Sequence, residues 1–251
     1  VIEETPKIRL TVMAKPSISP FEKTITQKES KPRTARKNRQ IPPDPTAGTL
    51  EQTLRDIFSI SQLRPGQQEV IESILNGHDT LAIMPTGAGK SLCYQLPAVR
   101  MPGVTLVVSP LISLMKDQAD KLEDVGIDTI EVNSTLSSRE KTAAMQGIED
   151  ANNEFIFTTP ERLSDPEFNA FLKRKKLDLV VIDEAHCISQ WGHDFRPAFL
   201  ALGTAINALD RPVVLALTAT ATEPVIKDIA KQLDIPDMRA INTSIYRPNL
   251  H

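Results

Sequence analysis

The chain has 251 residues, 40% hydrophobic and 24% charged, with 29 Lys and Arg against 32 Asp and Glu for a net charge of −3. This balance excludes a basic protein that holds nucleic acid by bulk charge, so any such contact must be built locally. Two cysteines, Cys93 and Cys187, exclude a disulfide scaffold, and no apolar run reaches the length of a membrane span. The start at Val1 rather than Met reads as a fragment of a longer protein, and the whole reads as soluble and intracellular with reduced thiols.

From Val1 to Thr46, Pro, Ser, Thr and Lys/Arg dominate, and large apolar residues follow no period. Such a stretch buries too little surface to offset its ordering entropy and is read as a disordered extension over residues 1–46. Its basic cluster, Lys31 to Arg39, reads first as a solvated tail, with a nuclear-targeting signal or an electrostatic tether to nucleic acid as alternatives. Ile41-Pro-Pro-Asp-Pro45 then stops any regular element.

From Thr49 the pattern becomes α/β. The apolar runs Leu81–Met84, Val104–Ser109, Phe155–Thr158, Leu179–Asp183 and Val213–Thr218 predict buried strands, and their continuous apolar character predicts a mainly parallel sheet covered on both faces. Ile112, Met115, Ala119 and Leu122 recur at helical spacing. So do Val225, Ile226, Ile229, Ala230 and Leu233, after Pro224 at a helix start. Alternation at this rhythm predicts right-handed crossovers and a doubly wound sheet, whose ligands bind at the carboxyl ends of strands.

The polar motifs fall at those ends. Behind the first strand comes Pro85-Thr86-Gly87-Ala88-Gly89-Lys90-Ser91 and then a helical stretch. Gly87 and Gly89 let backbone N–H groups turn inward around an anion, Lys90 is placed to reach the β and γ phosphates, and the Ser91 hydroxyl to ligate Mg²⁺. Met84 stands where the strict pattern has glycine, so the loop is the shorter helicase-type variant. A chance glycine turn is the competing reading; the strand before it and the Gly-Lys-Ser ending argue against it.

A second strand ends in Asp183-Glu184-Ala185-His186. An acid at a strand tip near a phosphate loop is placed to hold Mg²⁺, here Asp183, and Glu184 is placed to orient and deprotonate the attacking water. Taken alone, two exposed acids capping a turn fit as well; paired with the phosphate loop, the chemical reading prevails.

The single tryptophan, Trp191, lies in a polar loop with Gly192, His193, Asp194 and Arg196. An aromatic beside an arginine suits stacking on unpaired bases with phosphate contact, whereas a tryptophan anchoring the loop on the core is the alternative.

These motifs, in this order, resemble the RecQ DNA helicases of superfamily two. The run Asp183 to Pro197 is similar to that family's DEAH-type box with its aromatic-rich loop. Leu63-Arg-Pro-Gly-Gln-Gln68 resembles its adenine-reading motif, and Met84 to Gln95 its phosphate loop. Val108 to Gln118 and Thr159-Pro-Glu-Arg-Leu163 resemble its strand-contacting motifs. Leu217-Thr-Ala-Thr-Ala221 resembles its coupling motif, and Ser244 to Leu250 its junction into a second motor lobe. The resemblance implies a RecA-like P-loop NTPase lobe over 47–240, a linker over 241–251, and a second RecA-like lobe of the same full-length protein. It implies ATP and Mg²⁺ as ligands and DNA, single-stranded or 3′-tailed, as partner. It also implies 3′-to-5′ strand separation, a part in repair or recombination, and a place in the nucleus or bacterial cytoplasm. Residue by residue, it implies adenine reading by Gln67 with Arg64 beside the base. It implies coupling through His186, Gln190, His193, Thr218 and Thr220, and DNA contact by Ser109, Thr159, Arg162, Trp191, Phe195 and Arg196. The family's adenine-stacking aromatic falls on Ile60 here, which leaves stacking open. Without the second lobe, the chain alone is expected to be weakly active. Another superfamily-two motor, such as an RNA helicase or remodeller, and a non-catalytic binding module are the alternatives.

Overall fold

The computed structural model describes residues 48–133 and 155–243, together with Leu136, Arg139 and Ala144. The basic stretch 1–46 and the motif Ser244 to Leu250 lie outside the described residues. Among the described residues, seven strands form one sheet: β1 Thr80–Ile83, β2 Val104–Val108, β3 Thr129–Val132, β4 Phe155–Thr158, β5 Leu177–Ile182, β6 Val213–Thr218 and β7 Arg239–Asn242. Their spatial order is β3-β4-β2-β5-β6-β1-β7, and every neighbouring pair is parallel.

Five of the seven lie where apolar runs predict them. The strands expected to include Met84, Ser109 and Asp183 end one residue earlier, yet these three residues still donate their N–H groups to Thr218, Thr158 and Val108 at 2.9, 3.0 and 2.8 Å. The last strand pairs with β1 and includes Ile241 and Asn242, so the sheet continues past residue 240, into the stretch expected to be linker.

Among the described residues the α-helices of four or more residues are α1 Leu50–Asp56, α2 Gln67–Leu75, α3 Leu92–Ala98, α4 Ile112–Glu123, α5 Pro160–Leu163, α6 Pro166–Leu172, α7 Leu202–Asn207 and α8 Glu223–Gln232. Thr49 and Gln52 form a capping box at the start of α1. Successive strand residues face opposite sides of the sheet. Ala82, Val107, Val181 and Leu215 pack with Val70 and Ile74 of α2, Cys93 of α3 and Met115 of α4. Their neighbours Leu81, Leu106, Val180 and Val214 pack with Phe168 of α6, Leu202 of α7 and Ile229 of α8. Burial on both faces is why these strands read as unbroken apolar runs.

The strand order has a direct consequence for the site. The phosphate loop follows β1 and the acidic tip follows β5, and β6 lies between them, ending in Thr218.

Candidate functional site

The loop after β1 is built as an anion turn. Gly87 and Gly89 have φ of +82° and +81°, where a side chain would be strained. A Cβ on Gly89 would also meet Gln67 Nε2 at 2.5 Å, while the space beside Gly87 is open. Leu92 N–H closes the turn on Gly89 O at 3.2 Å and starts α3.

Gln67 and Arg64 brace this loop. Gln67 is buried; its Nε2 donates to the carbonyls of Gly89 and Ala88 at 3.0 and 3.2 Å, and its Oε1 accepts Arg64 N–H at 2.7 Å. The Arg64 guanidinium donates to Gly87 O. Sequence reasoning expected Gln67 to present a free amide to adenine. Here the amide nitrogen is used on the phosphate loop and the amide oxygen on the Arg64 backbone. Ile60 packs at the edge of a small cluster with Leu54, Ile71 and Leu96.

The acidic tip sits beside Lys90. Glu184 has φ +48° and ψ +46°, a left-handed conformation that costs a non-glycine residue on the order of 1 kcal/mol and marks a constrained position. One Glu184 carboxylate oxygen lies 4.0 Å from Lys90 Nζ and the other 3.2 Å from His186 Nδ1. Asp183 accepts Glu184 N–H on Oδ1 at 3.0 Å. Burial, and then the Glu184 charge, push the Asp183 carboxyl up from 3.8 to about 6. A carboxylate held at this energetic cost is suited to a cation. Ser91 and Asp183 offer the oxygen donors that Mg²⁺ requires, and both line one cavity.

That cavity measures about 470 Å³ and is lined by Thr86, Gly87, Gly89, Lys90, Ser91, Asp183 and Glu184, and also by Gln118 and Lys121 of α4. A second cavity of about 400 Å³ lies beside Arg64, Pro85, Thr86, Gly87, Ala88 and Thr243, so the two share Thr86 and Gly87. Lys121 and Thr243 carried no motif signal; their helix and strand bring them to the site.

Four of the expected coupling residues, His186, His193, Thr218 and Thr220, lie together. His186 is buried, and its Nδ1 lies 3.1 Å from Thr218 Oγ1. The Thr218 hydroxyl donates to Thr220 O at 3.1 Å. The His193 ring stacks on His186 with centroids 4.4 Å apart. Burial holds the His186 imidazole below its ordinary pKa. Gln190 is exposed, and its backbone is tied to Asp228 of α8 at 3.3 Å, a partner that no motif announced.

Trp191 is 77% exposed, which removes the alternative that it anchors the loop on the core. Phe195 is half-buried. Arg196 is partly committed: its guanidinium donates to Pro110 O and to Asp194 Oδ2, both at 3.2 Å, linking the aromatic loop to the β2–α4 loop. Cys187 donates to Asp194 at 3.7 Å, and burial pushes its thiol up to about 12, so it stays protonated.

Three residues expected to contact DNA are turned inward. Ser109 and Thr159 are buried; the first accepts Leu111 N–H, and the second caps α5 by accepting Arg162 N–H at 3.4 Å. Arg162 pairs with Asp165 and lies over the Phe168 ring, 5.0 Å from its centroid. Their side chains are engaged within their own loops in this structure. The spacing of a motif does not reveal which of its polar groups its own turn consumes.

The DEAD/DEAH box helicase family signature matches residues 64–229, from Arg64 beside the phosphate loop to Ile229 in α8. The chain belongs to the DEAD/DEAH box helicase family. Among relatives of this helicase domain, the ATP-dependent DNA helicase RecQ of Bacillus subtilis (strain 168) is 47% identical over 199 residues, 78% of this chain and 34% of that protein. The probable ATP-dependent DNA helicase RecS of the same organism is 45% identical over 202 residues, 80% of this chain and 40% of that protein. The domain thus spans between a third and two fifths of the length of these relatives. In fold, it matches the helicase MrfA bound to DNA and AMPPNP with a TM-score of 0.63 at 20% identity, over 81% of this chain and 30% of that one. Membership of this family implies use of ATP. Among the described residues, no helix is long and apolar enough to cross a membrane.

Proposed function

We propose that the chain is the first motor lobe of a RecQ-type, ATP-dependent DNA helicase that separates strands in the 3′-to-5′ direction and serves DNA repair or recombination, in the nucleus or the bacterial cytoplasm. The observation that carries this reading is the meeting of Lys90 and Glu184 at 4.0 Å across the same cavity that Asp183 lines. The two sequence motifs that a nucleotide motor requires come from strands β1 and β5, yet they face one volume of triphosphate size. The identity to DNA helicases named RecQ supports DNA as the substrate.

In this reading the loop Pro85 to Ser91 wraps the β and γ phosphates with N–H groups, and Lys90 neutralises their charge. Ser91 and Asp183 would hold Mg²⁺, which would draw charge from the phosphate oxygens. Glu184 takes a proton from the attacking water as the bond from the γ-phosphorus to the ADP oxygen breaks. The adenine occupies the smaller cavity beside Arg64, and Gln67 exchanges one loop carbonyl for the base edge when the nucleotide arrives. His186, His193, Gln190, Thr218 and Thr220 carry the state of that site to the aromatic loop. Trp191, Phe195 and Arg196 meet single-stranded DNA by stacking and phosphate contact, and Ser109, Thr159 and Arg162 contact the same strand from the neighbouring loops. Residues 47–240 with the β7 extension form the lobe. A second RecA-like lobe of the same protein supplies the remaining charge at the phosphoryl group.

Two measurements test the proposal. The chain alone is expected to bind ATP–Mg²⁺ weakly and to hydrolyse it very slowly; fast DNA-stimulated hydrolysis by residues 1–251 refutes the two-lobe requirement. The full-length protein is expected to unwind a duplex with a 3′ DNA tail in preference to one with an RNA tail; the reverse preference assigns it to the RNA motors.

A further inference from the structure

The loop that carries Trp191 is held at its root by one carboxylate. Ser189 Oγ donates to Asp228 Oδ2 at 2.7 Å, and Gln190 N–H donates to the same oxygen at 3.3 Å. Trp191 N–H then donates back to Ser189 Oγ at 3.1 Å. The other oxygen of Asp228 accepts Gln232 Nε2 at 3.2 Å, one turn along α8, which fixes the carboxylate's rotation. Three consecutive residues, Ser189, Gln190 and Trp191, are therefore ordered by a residue nearly forty positions away. Ser189 is fully buried, while Gln190 and Trp191 are exposed, so the order imposed at the root is passed to side chains in solvent.

The turn permits no slack. Gly192 N–H donates to Ser189 O at 2.9 Å, and a Cβ on Gly192 would fall 2.3 Å from His186 O. The aromatic loop thus lies directly on the turn that follows the acidic tip. The helix bearing Asp228 begins just after the coupling motif, with Thr222 as its N-cap. Ala219, Thr220, Ala221 and Thr222 face Trp191 and His193 across a cavity of about 450 Å³. The coupling motif thus runs straight into the N-terminal end of α8, and Asp228 is hydrogen-bonded from that helix to the loop.

We propose that Asp228 is a positioning residue for the DNA-sensing loop: through Ser189 it sets where Trp191 stands, and it ties that position to the coupling motif at the head of α8. The clamp itself is geometric; its part in DNA sensing rests on the reading of Trp191 given above.

Trp191 is the chain's one tryptophan, so its emission reports this loop alone. Steady-state anisotropy of Trp191, without DNA or nucleotide, is measured for the wild type, Asp228→Ala, Asp228→Asn and Ser189→Ala. The two alanine variants are expected to lower the anisotropy, and Asp228→Asn, which keeps an acceptor, to recover most of it. The pair Ser189→Ala/Asp228→Ala is expected to do no more than either alone, because both remove one interaction. With oligodeoxythymidine as probe, both single alanine variants are expected to need about tenfold more DNA for half-saturation, the factor expected when one charge-assisted hydrogen bond is lost. Affinity for ATP is expected to stay within about twofold, since none of these atoms lines the nucleotide cavity. Unchanged anisotropy in both alanine variants overturns the clamp. A parallel loss of ATP affinity and melting temperature also overturns it, because it makes Asp228 a structural residue of α8. A wild-type Trp191 that ignores DNA, with the anisotropy changes intact, defeats the DNA-sensing reading and leaves the clamp standing.

Discussion

His186 Nδ1 stands 3.1 Å from Thr218 Oγ1 and 3.2 Å from a carboxylate oxygen of Glu184. The Thr218 hydroxyl spends its proton on Thr220 O, so the proton between histidine and threonine belongs to Nδ1. A carboxylate also accepts only, which favours the same tautomer, assigned here from the network. Burial holds the ring below its ordinary pKa, which favours the neutral form. The His186 imidazole therefore stands between the acidic tip of β5 and the end of β6, and Met84 N–H donates to Thr218 O from the other side at 2.9 Å. The phosphate loop, the acidic tip and the coupling motif meet at Thr218.

Replacing His186 with Ala cuts this junction without touching Lys90 or Asp183. The full-length protein is expected to keep ATP affinity within about threefold while DNA-stimulated hydrolysis falls by about ten- to a hundredfold, the range of a typical coupling free energy. A titration of ATPase rate against DNA length checks it. Loss of ATP binding instead places His186 in the nucleotide site itself.

Lys90 and Glu184 separate binding from chemistry. Lys90→Ala removes the cation that meets the phosphates, and affinity for ATP is expected to drop at least about tenfold. Glu184→Gln keeps shape and hydrogen bonding but removes the proton acceptor, so ATP binds and hydrolysis falls by about 10²–10⁴-fold. Equilibrium binding of a slowly hydrolysed analogue, beside single-turnover hydrolysis, distinguishes the two. Equal loss of binding in both variants contradicts the assignment of roles.

Asp183 trades stability for cation binding. Its folded pKa of about 6 lies above the ordinary 3.8, so the fold prefers the protonated carboxyl. Ionisation therefore costs nothing below the ordinary value, costs progressively more as pH rises through that window, and costs on the order of 3 kcal/mol above it. Asp183→Asn keeps the acceptor for Glu184 N–H and removes the charge. In Mg²⁺-free buffer near about pH 7.5 this variant is expected to melt several degrees above the wild type, an advantage that shrinks toward about pH 5. Added Mg²⁺ is expected to raise the melting temperature of the wild type alone. A wild type that melts higher in chelator at neutral pH contradicts the cause assigned here.

Much of this was legible in the chain. The central strands announced themselves because both faces are buried, and Lys90, Asp183 and Glu184 because they stand in motifs that directly follow two of those strands. The edge strands β3 and β7 did not: Glu131, Arg239 and Asn242 interrupt them, and each pairs on one side only, so no continuous apolar run marks them. Tertiary commitments were equally silent. That Gln67 spends its amide nitrogen on the phosphate loop, that Arg162 folds onto Phe168 and Asp165, and that Asp228 reaches Ser189 all depend on loops meeting across the sheet ends. Asp228 in particular lies in an amphipathic helix pattern identical to that of any solvated acid.

Trp191 gives the sharpest separation of stability from function. A large aromatic left 77% exposed contributes little to the core, and the nucleotide cavity does not include it. Trp191→Ala is therefore expected to change stability by no more than about 0.5 kcal/mol and ATP affinity by less than about twofold. Losing one base-stacking platform is expected to weaken single-stranded DNA binding by about 1–3 kcal/mol, roughly five- to a hundredfold. Phe at this position restores a stacking face without the indole, so Trp191→Phe is expected to recover a large part of the affinity. The comparison by fluorescence-labelled oligonucleotide in both variants decides the matter. If alanine unfolds the protein, or if alanine and phenylalanine bind DNA as the wild type does, the exposed ring has some other use.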